Sequence, residues 1–205
     1  MSAIISIKED LVQQQILEAA KRLFQVHGLA KVTMDDVAKA IGKGRSSLYY
    51  YYKSKDEIFD AVVNIEIREM ITAMTRAVNK APDIEQKLRA FCIAKLETLK
   101  EKQPFFRTLD IGMDADALSN FKKAQVIHHN LIIRQESELL EQLLSEGIAK
   151  GELRKVTAKE LELLIYVLLC CLHGLKREMV MENSFEKIED VVTSFTHLAM
   201  NGLKG

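Results

Sequence analysis

Proline occurs only twice in these 205 residues, at Pro82 and Pro104, and glycine nine times. Proline removes a backbone donor and glycine loses the most entropy inside a helix, so a chain this poor in both can run long helices. No segment alternates apolar and polar residues like a half-buried strand. Hydrophobic residues make up 48% of the chain and there is no low-complexity tract, which excludes a disordered or collagen-like protein. The expected fold is all-α.

Ile16, Ala20, Leu23 and Phe24 recur at three- and four-residue steps, which predicts a helix over 11–26 that stops at Gly28. Thr33 can cap the next helix, where Met34, Val37, Ala38 and Ile41 share one face before Gly42. After Gly42-Lys43-Gly44 a third short helix fits 45–51, with Leu48 and Tyr52 turned inwards. Two helices joined by a tight glycine turn make a helix-turn-helix. Ser54-Lys55-Asp56-Glu57 then forms a capping box, so a long helix starts at Lys55. Its stripe of Phe59, Val63, Ile67, Met70 or Ile71, Met74 and Val78 persists to the Ala81-Pro82 break. Further helices are expected over 84–102, 105–111, 116–150, 157–181 and 184–200. The domains expected are a helix-turn-helix DNA-binding domain, 1–55, and a helical ligand-binding and dimerisation domain, 56–205.

The formal charge sums to zero, with 29 Lys and Arg against 29 Asp and Glu. Division at residue 55 splits that neutrality. The first segment has nine basic residues against five acidic ones, +4, and the remainder is −4. A basic helix-turn-helix ahead of an acidic helical body points to nucleic acid at one end only.

From Ile16 to Val63, the residues Ala19-Ala20, Leu23-Phe24, Gly28, Thr33, Val37-Ala38, Gly42, Leu48-Tyr49, Tyr51-Tyr52, Lys53-Ser54-Lys55 and Ile58 resemble the DNA-binding domain of TetR-family transcriptional regulators. The resemblance covers about a quarter of the chain and extends weakly to Glu146–Leu153. It implies a homodimer whose third helix enters the major groove of double-stranded operator DNA, and a small-molecule effector in the helical body that controls release. After the turn glycine the chain departs from the family pattern with Lys43, Gly44, Arg45, Ser46 and Ser47, so base preference does not transfer.

Arg45, Ser46 and Ser47 are the base-reading candidates, since Arg can donate a bidentate pair to guanine O6 and N7. The phenols of Tyr49 and Tyr50 can reach phosphates, and Thr33 and Lys55 stand at helix starts suited to the same contact. Lys43 either joins them or, with Lys53 and Lys55, belongs to an ordinary solvated face. Tyr51 and Tyr52 read as packing residues.

In the body, Leu161, Leu168, Leu172, Gly174 and Leu175 on one helix and Phe185, Ile188, Val192, Phe195 and Ala199 on the next form seams expected to close a four-helix dimer interface. A pocket for a lipophilic ligand is expected among Met70, Met74, Phe91, Phe105, Phe106, Met113, Phe121, Leu131 and Tyr166, with Gln125, His128 and Gln135 as polar groups. The three cysteines suggest small core residues and no disulfide framework. No metal or other cofactor is called for, and no nucleophile with its base, phosphate loop or metal cluster suggests an enzyme. The longest apolar run, Leu163 to Leu172, is half of the roughly 20 residues needed to cross a bilayer, and no secretory signal opens the chain. The expectation is a cytoplasmic repressor released from its operator by ligand, with a ligand-independent architectural DNA-binding dimer as the rival.

Overall fold

The computed structural model describes residues 2–204, and their side chains from Asp10 onward. Among the described residues every regular element is helical: α1 Ser2–His27, α2 Met34–Ala40, α3 Arg45–Tyr51, α4 Lys55–Lys80, α5 Ile84–Arg107, α6 Ala115–Ala149, α7 Ala158–Met181 and α8 Ile188–Leu203. No helix among them is long and apolar enough to cross a membrane.

The boundaries follow from local chemistry. The α2 start is a complete capping box: Asp36 N donates to Thr33 Oγ1 at 3.2 Å and Thr33 N to Asp36 Oδ2 at 2.9 Å. Hydrogen bonding to Thr33 holds the Asp36 carboxyl below its ordinary range. Its end is a Schellman turn, with Gly42 N donating to Lys39 O and Lys43 N to Ala38 O. Gly42 sits at φ +65°, where a side chain would be strained. At α4 the box is displaced by one residue: Glu57 N donates to Ser54 Oγ at 3.1 Å, while Glu57 Oε2 accepts from Lys53 N at 2.7 Å. A third box, Thr157 with Glu160, starts α7.

Three expected boundaries move, the first being the start of α1, which lies at Ser2 well ahead of the expected residue 11. Pro104 ends no helix, and α5 runs through it to Arg107. The proline deprives one carbonyl of its donor, but only three residues follow before the helix stops, and Phe105 beyond it is anchored in the core. The last helix starts at Ile188 instead of Ser184, with 184 and 185 irregular and 186 and 187 in a turn.

The chain forms two compact units, divided differently from the expected boundary at 55. One unit comprises the chain up to Ile67 together with Lys102–His128, and the other Arg68–Glu101 together with the chain from His129 onward. In the first, Ile16, Ala20, Phe24, Val37, Leu48, Ile58, Val62 and Leu109 are buried, and Phe24 meets Phe59 edge-on at 6.0 Å. Phe59 in turn packs on Phe121. Gly28 is pressed so close that an added Cβ would lie 2.9 Å from Thr108 O. The enclosed Glu66 carboxylate pairs with both Lys21 and Lys102. Burial works to raise its pKa, but the two ammonium groups overcome that and hold it below the ordinary range. These contacts add the first half of α4, the end of α5 and the start of α6 to the helix-turn-helix.

In the second unit the core is built from Met74, Val78, Leu88, Phe91, Leu96, Leu140, Leu144, Leu168, Leu172, Val192 and Met200. Full burial of one such side chain stabilises by about 1.5–3 kcal/mol relative to exposure.

Candidate nucleic-acid interface

Helix α3 is anchored by Leu48, wholly buried, and presents its other faces outwards. Lys43, Arg45, Ser46, Tyr49 and Tyr50 are exposed, and Ser47 is half-buried. The glycine turn and the α3 start thus gather the expected base-reading and phosphate-reaching side chains on one stretch. Tyr51 and Tyr52 are half-buried, and burial pushes the Tyr52 phenol up.

Arg45 is already oriented. Its Nη2 donates to Tyr49 Oη at 3.3 Å and its guanidinium carbon lies 5.5 Å from the Tyr49 ring centre. On its other side Nε and Nη1 approach the Asp35 carboxylate at 3.3 and 3.4 Å. Both neighbours, the phenol first, raise its pKa. Asp35 is the residue that sequence reasoning missed. The signal was present: in Thr33-Met34-Asp35-Asp36 the capping box uses only the second aspartate, which leaves the first available to α3.

Two expected phosphate contacts are altered. The Lys55 ammonium is turned inwards, donating to Leu29 O at 2.7 Å and Ala30 O at 3.3 Å, and burial lowers its pKa. It closes the turn after α1, so two of its three N–H donors are already engaged. The Thr33 hydroxyl donates to Asp36 Oδ2 at 2.7 Å while accepting from Asp36 N, so it functions first as a cap.

The second unit corrects other expectations. Leu168, Leu172, Ile188 and Val192 are buried in its own core and cannot cover a partner. Leu161, Leu175, Phe185, Phe195 and Ala199 are partly buried against that core. The free face of α7 instead presents Leu163, Tyr166 and Val167, 55%, 67% and 54% exposed, followed by exposed Cys170 and Gly174. A helix apolar all round conceals which stripe faces inwards. Cys170 and Cys171 are exposed, contrary to the core placement expected of them, while Cys92 is buried and its thiol pushed up to about 12.

The expected ligand set is not gathered either. Met74 and Phe91 are packed solidly in the second unit's core; Phe105 and Phe121 are buried in the first unit, and Phe106 and Gln125 are exposed. Met70, Met113, Leu131 and Gln135 are half-buried. His128 Nε2 donates to Asp60 Oδ1 at 3.2 Å beside the Phe59 ring, and burial lowers its pKa against the pull of that carboxylate. One of the cavities in the second unit, about 820 Å3, opens between α6 and α7 and is lined by His129, Ile133, Leu161, Ile165, Tyr166, Leu169 and His173, with the carboxylates Glu141 and Glu162 at its wall. Tyr166 is the one expected ligand residue in that wall.

Residues 16–62 match the family model described as bacterial regulatory proteins, tetR family. The HTH-type transcriptional regulator YhgD of Bacillus subtilis is 24% identical over 139 residues, 68% of this chain and 70% of its own. Among solved structures, the TetR-family regulator PfmR of Thermus thermophilus is 25% identical with a TM-score of 0.57, covering 93% of this chain and 99% of its own. The regulator FadR of Bacillus subtilis, in complex with stearoyl-CoA, superposes with a TM-score of 0.66 at 17% identity over 93% of this chain and 98% of its own.

Proposed function

This chain is a TetR-family transcriptional regulator, and on that premise we propose that it is a homodimeric repressor released from its operator by a small ligand with a long apolar part. The observation that carries the DNA-reading half is the α3 start, where Arg45, held between Tyr49 and Asp35, stands beside exposed Ser46 and Tyr50 at the glycine turn. A guanidinium with a fixed orientation loses less freedom on meeting a guanine edge. Tyr49, Tyr50 and Lys43 contact the flanking phosphates and set the register.

The second copy covers the α7 stripe of Leu163, Tyr166, Val167 and Gly174, joined by Leu198 of α8, 73% exposed. An apolar strip of that length left in water would favour self-association, and a two-fold dimer matches a two-fold operator. The α6–α7 cavity supports the ligand half, since its volume falls within the roughly 300–1,000 Å3 usual for small-molecule sites. FadR of Bacillus subtilis was solved with stearoyl-CoA, which makes an acyl chain a reasonable type of tail. Ligand acts through α4, a single helix from Lys55 to Lys80, by favouring a placement of α3 that fits the operator less well.

The test is selection of bound DNA from a random pool, followed by binding measurements with Arg45→Ala. The variant should bind the selected site roughly 10- to 100-fold less tightly and random DNA nearly as before. Equal loss on both would remove Arg45 from base reading. Val167→Arg should shift the sedimenting species towards monomer, and an unchanged dimer would place the interface elsewhere.

A further inference from the structure

The α6–α7 cavity and the outward stripe of α7 have residues in common. On α7 the cavity wall runs from Ala158 to His173, about 22 Å at 1.5 Å per residue, through Leu161, Ile165 and Leu169. Tyr166 and Cys170, each adjacent in sequence to one of these, line the same wall. Both are exposed, and both stand on the stripe of Leu163, Val167 and Gly174. A hydrogen bond joins the two side chains across one helical turn. The rim of the cavity is thus the edge of the stripe.

The floor is apolar: Ile165 and Leu169 are buried, and Ile133 and Leu161 are partly buried against the same core. A molecule lying along it is covered from the protein side only, whereas small-molecule sites enclose roughly 70–90% of their ligand. The uncovered side is bounded by Tyr166 and Cys170, where a second copy seated on the stripe closes down.

The charges at the wall select the ligand further. The His129 and His173 rings, 5.5 Å apart, mark one end. Glu141 and Glu162 stand at the other, exposed and without an ion pair among the described residues. No described lysine or arginine lines the cavity. Lys95 of α5 lies behind the His173 ring, its Nζ 3.1 Å from Nε2, but is paired with Glu136 of α6, and Lys176 is outside the wall.

We infer that the ligand site is completed by the second copy: an elongated apolar molecule, uncharged or cationic, lies along the α6–α7 floor and is roofed by the partner over Tyr166 and Cys170. The inference rests on the dimer and ligand readings above and joins them. Whatever the dimer adds to ligand affinity, the ligand adds to dimer affinity. A ligand so held cannot free the operator by separating the copies; it acts by changing how they are set against each other, and with that the spacing of the two α3 helices. An anionic head finds two carboxylates at the wall and no lysine or arginine to offset them.

The test uses the full chain and three probes of equal tail length, 1-decanol, decyltrimethylammonium and decanoate, with binding followed by calorimetry and assembly by sedimentation. Decanol and the cation should each bind at least about threefold tighter than decanoate. Val167 is 54% exposed and outside the cavity wall, so Val167→Arg disturbs the stripe alone. The resulting monomer should bind decanol at least about tenfold more weakly, because one side of the tail stays in water. Saturating decanol should lower the dimer dissociation constant of the unaltered chain by at least about tenfold. Ser137→Phe, which fills the cavity from α6, should remove decanol binding and leave the dimer intact.

A Val167→Arg monomer that binds decanol as tightly as the unaltered chain overturns the shared site and leaves dimer and cavity standing. An unchanged dimer in Val167→Arg refutes the interface reading and the roof with it. Absence of decanol binding, or binding that survives Ser137→Phe, refutes the cavity as the site. Tightest binding of decanoate overturns the ligand class.

Discussion

The two units each hold a basic side chain against a carboxylate, in opposite surroundings. Arg45 and Asp35 are 62% and 47% exposed; Lys95 and Glu136 are 5% and 0% exposed. The exposed pair is screened by water and salt and can be exchanged for a phosphate or a base edge at little cost. The buried pair has no such exchange, since removal of one member leaves a charge stranded in the core. The same chemistry orients an exposed arginine in one place and fixes a core in the other.

Glu136→Ala should break this comparison most strongly. It strands the Lys95 ammonium and should destabilise the second unit by about 3–5 kcal/mol in denaturant unfolding. The double variant Lys95→Met, Glu136→Leu should recover most of that loss; failure to recover would mean that the pair contributes beyond its own charges.

Acid should produce the next largest effect. Burial, then Lys95, Lys176 and His129, push the His173 pKa down to about 4 from an ordinary value near 6.5. Between those values the unfolded chain binds more protons than the folded one, so stability must fall as pH drops from about 6.5 to 4, by roughly 3 kcal/mol for this group. Glu136 of α6 faces the same ring, its Oε2 3.7 Å from His173 Nε2. His128, also lowered, adds to the trend in the first unit. His173→Gln should flatten the acid limb, and an unchanged limb would assign the loss to other groups.

Asp35→Asn should have the smallest effect. Folding stability should stay within experimental error, whereas random DNA should bind slightly tighter because one negative charge has left the proposed reading face. A large loss of operator affinity would instead show that Asp35 holds Arg45 in its reading pose.

How much of this was legible depends on separation along the chain. Helix α3 could be bounded at 45–51 and Leu48 placed in the core, because capping, the glycine turn and periodicity act within a few residues. Arg45, Ser46 and Tyr50 could be placed on the outer face for the same reason. Lys95, Glu136 and His173 lie 41 and 78 positions apart in their pairings, and no local signal gives the rotation of one helix against another. The same ignorance of rotation exchanged the two faces of α7: Leu168 and Leu172 turn into the core, and Tyr166 and Val167 turn out. Lys55 illustrates a third limit. A lysine at a helix start looks available for phosphate until the carbonyls of Leu29 and Ala30 are seen within reach.

The Phe59–Phe121 contact, the Glu66 pairs and the close approach of Gly28 to Thr108 have a consequence for anyone who edits the gene. The DNA-reading unit is assembled from two stretches of chain, with a different unit's residues encoded between them. A chimera made by grafting the first 55 codons onto another regulator would carry Phe24 without Phe59 and Gly28 without its seat. Exchange of specificity calls instead for transplanting the outward residues of α3 into an otherwise intact frame.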